Sequence, residues 1–373
     1  METNGAIIQR NTSLDAIRAL AAFCVVANHT VESVYQLTTD YVSMMSEKAK
    51  LFCFTVFTFG RIGVPLFLFL SGYLLLTRAY DKPKISRFYH HNLLPLIIVW
   101  EIWIFIYSIF SHAFFSMPYD FASYFRRALF LEHGGLPHTW YMPMIIGMYL
   151  FIPYVALAIQ KMNKKTLWII MSALYIYLFI IPCLNLLQNT MPVPFLQGSS
   201  KQIDLSYGGN TYGLYLAIGY CIARYQKQID SLFNRRRYTA YLLFGGTGIV
   251  LFAGTISVQL KLYSANIAYN VWYDFPTLPI IGICMFIPLM QIKWRIPIQS
   301  IWFRLSSCAF GIYLLHELIL IPSVQFIGEV PYKSIKVVLI SITTYLLSFL
   351  SVEILSMVPY INHLFLKKHF HKN

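Results

Sequence analysis

The stretch "LDAIRALAAFCVVANH", residues 14–29, is apolar enough to cross a membrane, yet it carries Asp15, Arg18 and His29. Each of these groups is costly in hydrocarbon, and ionisable residues there usually face a bundle interior or a watery cavity. Read as a helix at about 100° per residue, Arg18 and His29 fall on one face, roughly 16 Å apart along the axis. Asp15 lies one turn before Arg18 and Glu32 one turn after His29, so the four form a polar stripe. Ala19, Ala21 and Ala22 leave room beside it. The stripe predicts a cavity wall.

The rest of the chain sets this helix in a membrane. Of 373 residues, 57% are hydrophobic and only 12% charged, about half the charge of an average soluble domain. The apolar residues come in blocks of roughly 20, the length that spans a hydrocarbon core. Ten spans are expected, at about 14–36, 55–77, 89–111, 140–159, 167–185, 208–223, 239–259, 276–292, 303–325 and 334–358. The opening "METNGAIIQRNTS" is polar and reads as a cytoplasmic start rather than a cleaved leader.

The net charge of +14 orients the spans. With Arg304 and Lys336, at the first turns of their spans, counted with the adjoining connections, nineteen Lys and Arg fall in the tails and even-numbered connections, against eight in the odd-numbered ones. That alternation follows the positive-inside rule and predicts an all-α integral membrane protein with both termini in the cytoplasm. The basic residues then meet anionic lipid, and nucleic acid is not an expected partner. A single membrane domain over 1–373 is expected, without linker or repeat. The six cysteines lie almost entirely within spans at no ligand spacing, so they read as small buried residues and no metal site is expected.

Other polar residues stand in apolar surroundings. "FTFGRIGVPLFLFLSGYLLL" puts Arg61 near the outer end of the second span, as a snorkelling side chain or a fixed cation in the cavity. Pro65 is a kink candidate and Gly72 allows close packing. "ISRFYHHNLLP" places Arg87, His90 and His91 at the start of the third span, where they suit lipid headgroups or the phosphates of an anionic donor. "GGLPHTWYMPMIIGMYLFIP" sets His138 and Trp140 at the outer mouth of the fourth, suited to an interfacial belt or to carbohydrate hydroxyls. "FGIYLLHELIL" holds His316 and Glu317 in mid-span, and at least one should line the interior. Glu101 and Glu353 belong to the same class. No motif of soluble hydrolases, kinases, zinc enzymes or dinucleotide binders stands in a fitting place.

Taken in order, "SLDAIRALAAFCVVANH", "RIGVPLFLFLSGYLL", "HTWYMPMIIGMYLFIP", "YGLYLAIGYCIA" and "FGIYLLHELIL" resemble the membrane-bound acyltransferase 3 family, over about residues 13–325. The resemblance implies ten spans in a bacterial plasma membrane. It implies O-acyl transfer, most often of acetyl from acetyl-CoA, onto envelope or exported carbohydrate. In that reading His29 is catalytic, Arg18 essential, and Asp15 and Glu32 support them. Arg87, His90 and His91, with Arg61, receive the acyl donor. His138 and Trp140 face the acceptor, and His316 and Glu317 join the cavity wall. Acyl-CoA is a substrate, with no bound cofactor. The sequence departs from the family's Arg-x-x-Arg at the third span, where His91 stands for the second arginine, and Ile145 replaces the glutamate of another branch. The rival expectation is a transporter or flippase that uses the same stripe as a path for a glycan or small anion.

Overall fold

In the computed structural model the described residues are 11–118, 120–188, 203, 205, 209–328 and 330–365. Most of the expected connection 186–207 and the basic tail residues Lys367, Lys368 and Lys372 lie outside them. Among the described residues there are helices and no strands. Eight helices are long and apolar enough to cross a membrane: α1 (Thr12–Val34), α2 (Glu47–Leu75), α3 (Lys82–Phe115), α4 (Pro137–Lys161), α5 (Lys164–Leu187), α7 (Arg237–Ser264), α9 (Ile296–Phe326) and α10 (Lys333–Leu355). The expected spans at 208–223 and 276–292 are shorter helices, α6 (Asn210–Arg224) and α8 (Thr277–Met290), of 15 and 14 residues. A 30 Å core asks for about 20. The expected ten are therefore eight full-length helices and two short ones.

Capping fixes several starts. Asn11 accepts from Ser13 N at the head of α1, and Ser46 accepts from Ala49 N at the head of α2. Asp81 and Asn163 do the same for α3 and α5. Each cap satisfies an N–H that the first turn leaves without a helical partner. Ser46 and Asp81 also explain why α2 and α3 begin eight and seven residues before the apolar blocks at 55 and 89.

Proline sets the irregularities. Pro65 has no N–H to offer the Arg61 carbonyl, and α2 is interrupted at Ile62, whose own N–H turns back to Phe59 O. Wide π-turns at Tyr89–Leu93 in α3 and Ile176–Ile180 in α5 each sit within two residues of the following proline, Pro95 and Pro182.

Helix α1 is the hub. It is 83% buried over its apolar window, against 11% for the peripheral α7. It packs on α9, α10, α8 and both halves of α2. Gly60 of α2 makes that last contact possible: a Cβ there would stand 2.6 Å from Asn28 Cβ, on the turn that carries His29. Further along α2, a Cβ on Gly72 would stand 1.9 Å from the Leu216 carbonyl oxygen, and one on Gly219 of α6 2.1 Å from that of Phe69. The two helices meet backbone to backbone, as small residues allow in membranes.

Candidate active site

Where α1, α2, α4 and α9 converge they enclose a cavity of about 250 Å³. Arg18 and His29 both line it, as the helical spacing predicts. Toward the Arg18 end the wall also carries Ser71 and Arg78, and toward His29 it carries Asn28, His138, Trp140 and Tyr273.

Arg18 is held through Nη1 by Ser306 and Asp15. Its Nη1 donates to Ser306 Oγ at 2.9 Å, and that hydroxyl donates to Asp15 Oδ1 at 2.7 Å. Asp15 also lies 3.4 Å from the guanidinium directly. Asp15 and Ser306 are buried, and Arg18 lines the cavity beside them.

His29 sits between two carboxylates. Its Nδ1 is 2.9 Å from Glu32 Oε2 and 3.3 Å from Glu317 Oε1. The Glu32 carboxylate is itself shared, because Arg61 Nη2 reaches its Oε1 at 2.8 Å. Arg61 is buried and packs over the rings of Phe57 and Trp272, at 4.7 and 4.5 Å. With Nδ1 on the carboxylate side, Nε2 on the far edge of the ring is the nitrogen left for the cavity. A carboxylate behind an imidazole fixes its tautomer and stabilises the imidazolium that forms when the ring takes a proton.

Two more imidazoles stand close. The ring centroid of His316 is 5.3 Å from that of His29, and that of His138 is 6.4 Å away. His316 is fully buried, and its Nδ1 faces the Tyr313 carbonyl at 2.6 Å. His138 is equally buried, with Nε2 at 3.0 Å from the Tyr107 hydroxyl. Trp140 forms part of an aromatic cluster with Tyr212, Trp272 and Tyr273, at centroid distances of 5.3–5.6 Å.

Several expected placements change. Arg61 does not join Arg87, His90 and His91; it backs Glu32, because the interruption at Ile62 and the small Gly60 bring its turn against α1. Arg87, His90 and His91 are exposed and none lines the cavity. They stand on the exposed face of α3, while Arg78, beyond the end of α2, joins Arg18 at the cavity wall. His316 and Glu317 are both buried, yet they stand behind His29 rather than on the wall. Glu353 is taken by Arg304 at 3.0 Å and by Cys308 Sγ at 3.1 Å. Near the expected acceptor side, Glu132 binds Arg126 and Ser123, which hold its carboxyl below the usual range.

Sequence reading missed Ser306, Asn28, Arg78, Tyr107, Trp272 and Tyr273. It also missed Tyr313, although its place one turn before His316 in "YLLH" gave a helical signal.

His29, His316 and Glu317 each bring one ligand atom within 4.8 Å of the others, the donor set of a two-histidine, one-carboxylate centre. A proton on Nδ1 offers a different occupant of the same space, with Glu32 at 2.9 Å the nearer carboxylate and Glu317 at 3.3 Å. Arg61 supplies a fixed positive charge beside Glu32.

Residues 11–360 match the acyltransferase domain of the acyltransferase 3 family. Neither the curated proteins nor the solved structures provide a match. The matched region spans nearly the whole chain, and the protein belongs to this acyltransferase family.

Proposed function

We propose that this membrane acyltransferase moves a short acyl group, most simply acetyl from cytoplasmic acetyl-CoA, onto a hydroxyl of an envelope or exported carbohydrate. His29 acts as the base. The observation that carries the assignment is the position of His29: Nδ1 stands against two carboxylates, the buried Glu317 and the half-buried Glu32, and the ring lines the same cavity as Arg18.

The chemistry follows from that arrangement. The acceptor hydroxyl gives its proton to His29 Nε2 as its oxygen attacks the thioester carbonyl. The C–S bond then breaks and the CoA thiolate leaves, to be protonated by the imidazolium. Glu32 and Glu317 stabilise the imidazolium between these steps, and Arg61 keeps Glu32 in place. General-base catalysis of this kind contributes roughly 10²–10⁴ in rate. Arg18, about 16 Å along the helix, suits the phosphates of the donor, with the pantetheine arm extended between the two residues. Arg78 adds a second cation at that end. Trp140 and Tyr273, which line the cavity, offer faces on which a sugar ring can rest beside His29.

The test is to incubate the detergent-purified protein with acetyl-CoA and extracted envelope glycan, reading both the free CoA thiol and alkali-labile acetate on the glycan. Equal amounts of thiol and ester are expected. Thiol release without ester would remove the carbohydrate acceptor, and neither product would remove acetyl-CoA as donor.

A further inference from the structure

The hydrogen bonds around His138 define which of its nitrogens carries the proton. Tyr107 Oη lies 2.8 Å from the Leu314 carbonyl oxygen. A carbonyl can only accept, so the tyrosine's one proton is committed there. Toward His138, 3.0 Å away, the Tyr107 oxygen can therefore only accept. His138 Nε2 must carry a hydrogen. Its neutral ring then presents a bare lone pair at Nδ1. A second proton on Nδ1 would find no acceptor, because among the described residues Nδ1 has no hydrogen-bond partner.

That lone pair is held rather than loose. The Tyr313 hydroxyl donates to the His138 carbonyl at 2.9 Å, and the ring lies edge-on against both tyrosines. His138 is 1% exposed and lines the cavity across from His29. A buried acceptor without a donor costs free energy unless something supplies one. The residue lines the cavity, so a molecule bound there can supply the donor once the cover over Nδ1 yields.

We propose that His138 Nδ1 receives the hydrogen bond of a second acceptor hydroxyl, next to the one that His29 deprotonates. Tyr107 is the positioning residue that keeps Nδ1 unprotonated. The inference rests on the acyl-transfer reading and narrows its acceptor to a molecule with two neighbouring hydroxyls, as a pyranose ring has. A site built to bind a hydroxyl discriminates strongly against an analogue without one, because its own polar atom is then left unpaired.

The experiment compares two near-isosteric replacements. In His138→Asn the amide oxygen can take the place of Nδ1. In His138→Gln the amide nitrogen takes the place of Nε2, which restores the bond to Tyr107 but leaves no acceptor at Nδ1. Both are read in vesicles from the cells that make the protein, which contain its own acceptor, as label fixed on membrane material from radiolabelled acetyl-CoA. His138→Asn should retain activity within about tenfold of the starting protein, and His138→Gln should lose at least about 100-fold, the scale of a lost hydroxyl contact. The reverse order, or equal loss, would overturn the proposal by making the Tyr107 bond the whole role of His138. Nitrogen-15 NMR of labelled histidine, assigned by the signal missing in His138→Gln, reads the tautomer directly. Protonation at Nδ1 would overturn the proposal whatever the activity shows. If the starting protein fixes no label while the NMR finds the Nε2–H form, the acyl-transfer reading fails and the acceptor nitrogen at His138 stands.

Discussion

Arg61 shows how much one side chain carries in this site. It neutralises Glu32, and Glu32 orients His29. Arg61→Gln removes a buried cation from beside Glu32, whose side chain is 29% exposed and also faces His29, so the cost should fall between about 1 kcal/mol for an exposed pair and about 3–5 kcal/mol for a broken buried one. It should lower the denaturation midpoint in detergent clearly and reduce transfer as well. Arg304→Gln breaks a pair with Glu353 in which the arginine side chain is 60% exposed, and the effect should stay below about 1 kcal/mol. Equal shifts for the two would contradict the buried-pair account. The His29–Glu317–His316 group gives a second prediction at this scale. If a proton rather than an ion occupies it, dialysis against a strong chelator leaves transfer unchanged. Loss of activity restored by zinc would reassign these side chains as metal ligands.

At the scale of the element, α1 was legible because its information is local. Helical periodicity places Asp15, Arg18, His29 and Glu32 on one stripe without reference to any other part of the chain. The partners from other helices were not legible. Ser306 reaches Asp15 across 291 positions, and Arg61 reaches Glu32 across 29. Such contacts depend on how the helices cross, which periodicity does not report. Gly72 was legible as a packing residue, though its partner Leu216 was not. Gly72→Ala places a Cβ 1.9 Å from the Leu216 carbonyl oxygen, so α2 and α6 must part. The thermal midpoint should fall by several degrees, in line with a loss of a few kcal/mol. Gly245→Ala on the peripheral α7 meets nothing within 4 Å, and should hold or raise the midpoint because alanine favours the helix by about 1 kcal/mol.

For the whole molecule, hydrophobic blocks announced a membrane protein, and the two shortest blocks, 208–223 and 276–292, form the two short helices of 15 and 14 residues. Hydropathy reports apolar runs, but a helix sheltered by neighbours does not need the full span. The orientation rests on loop charge, and labelling tests it. A membrane-impermeant thiol reagent applied outside intact cells should modify Phe121→Cys and spare Lys84→Cys. Both positions are exposed in the fold, and the native cysteines serve as the background. The reverse pattern would turn the cavity over and place Arg18 on the outer side, away from cytoplasmic acyl-CoA. The central claim is that His29 takes the proton in an acyl transfer. The most direct measurement is label transfer from acetyl-CoA in native vesicles by wild type and His29→Ala at equal protein level and equal thermal midpoint. A fall of about 10²–10⁴ is predicted, the range for a lost general base. Transfer within a factor of two of wild type would contradict the account.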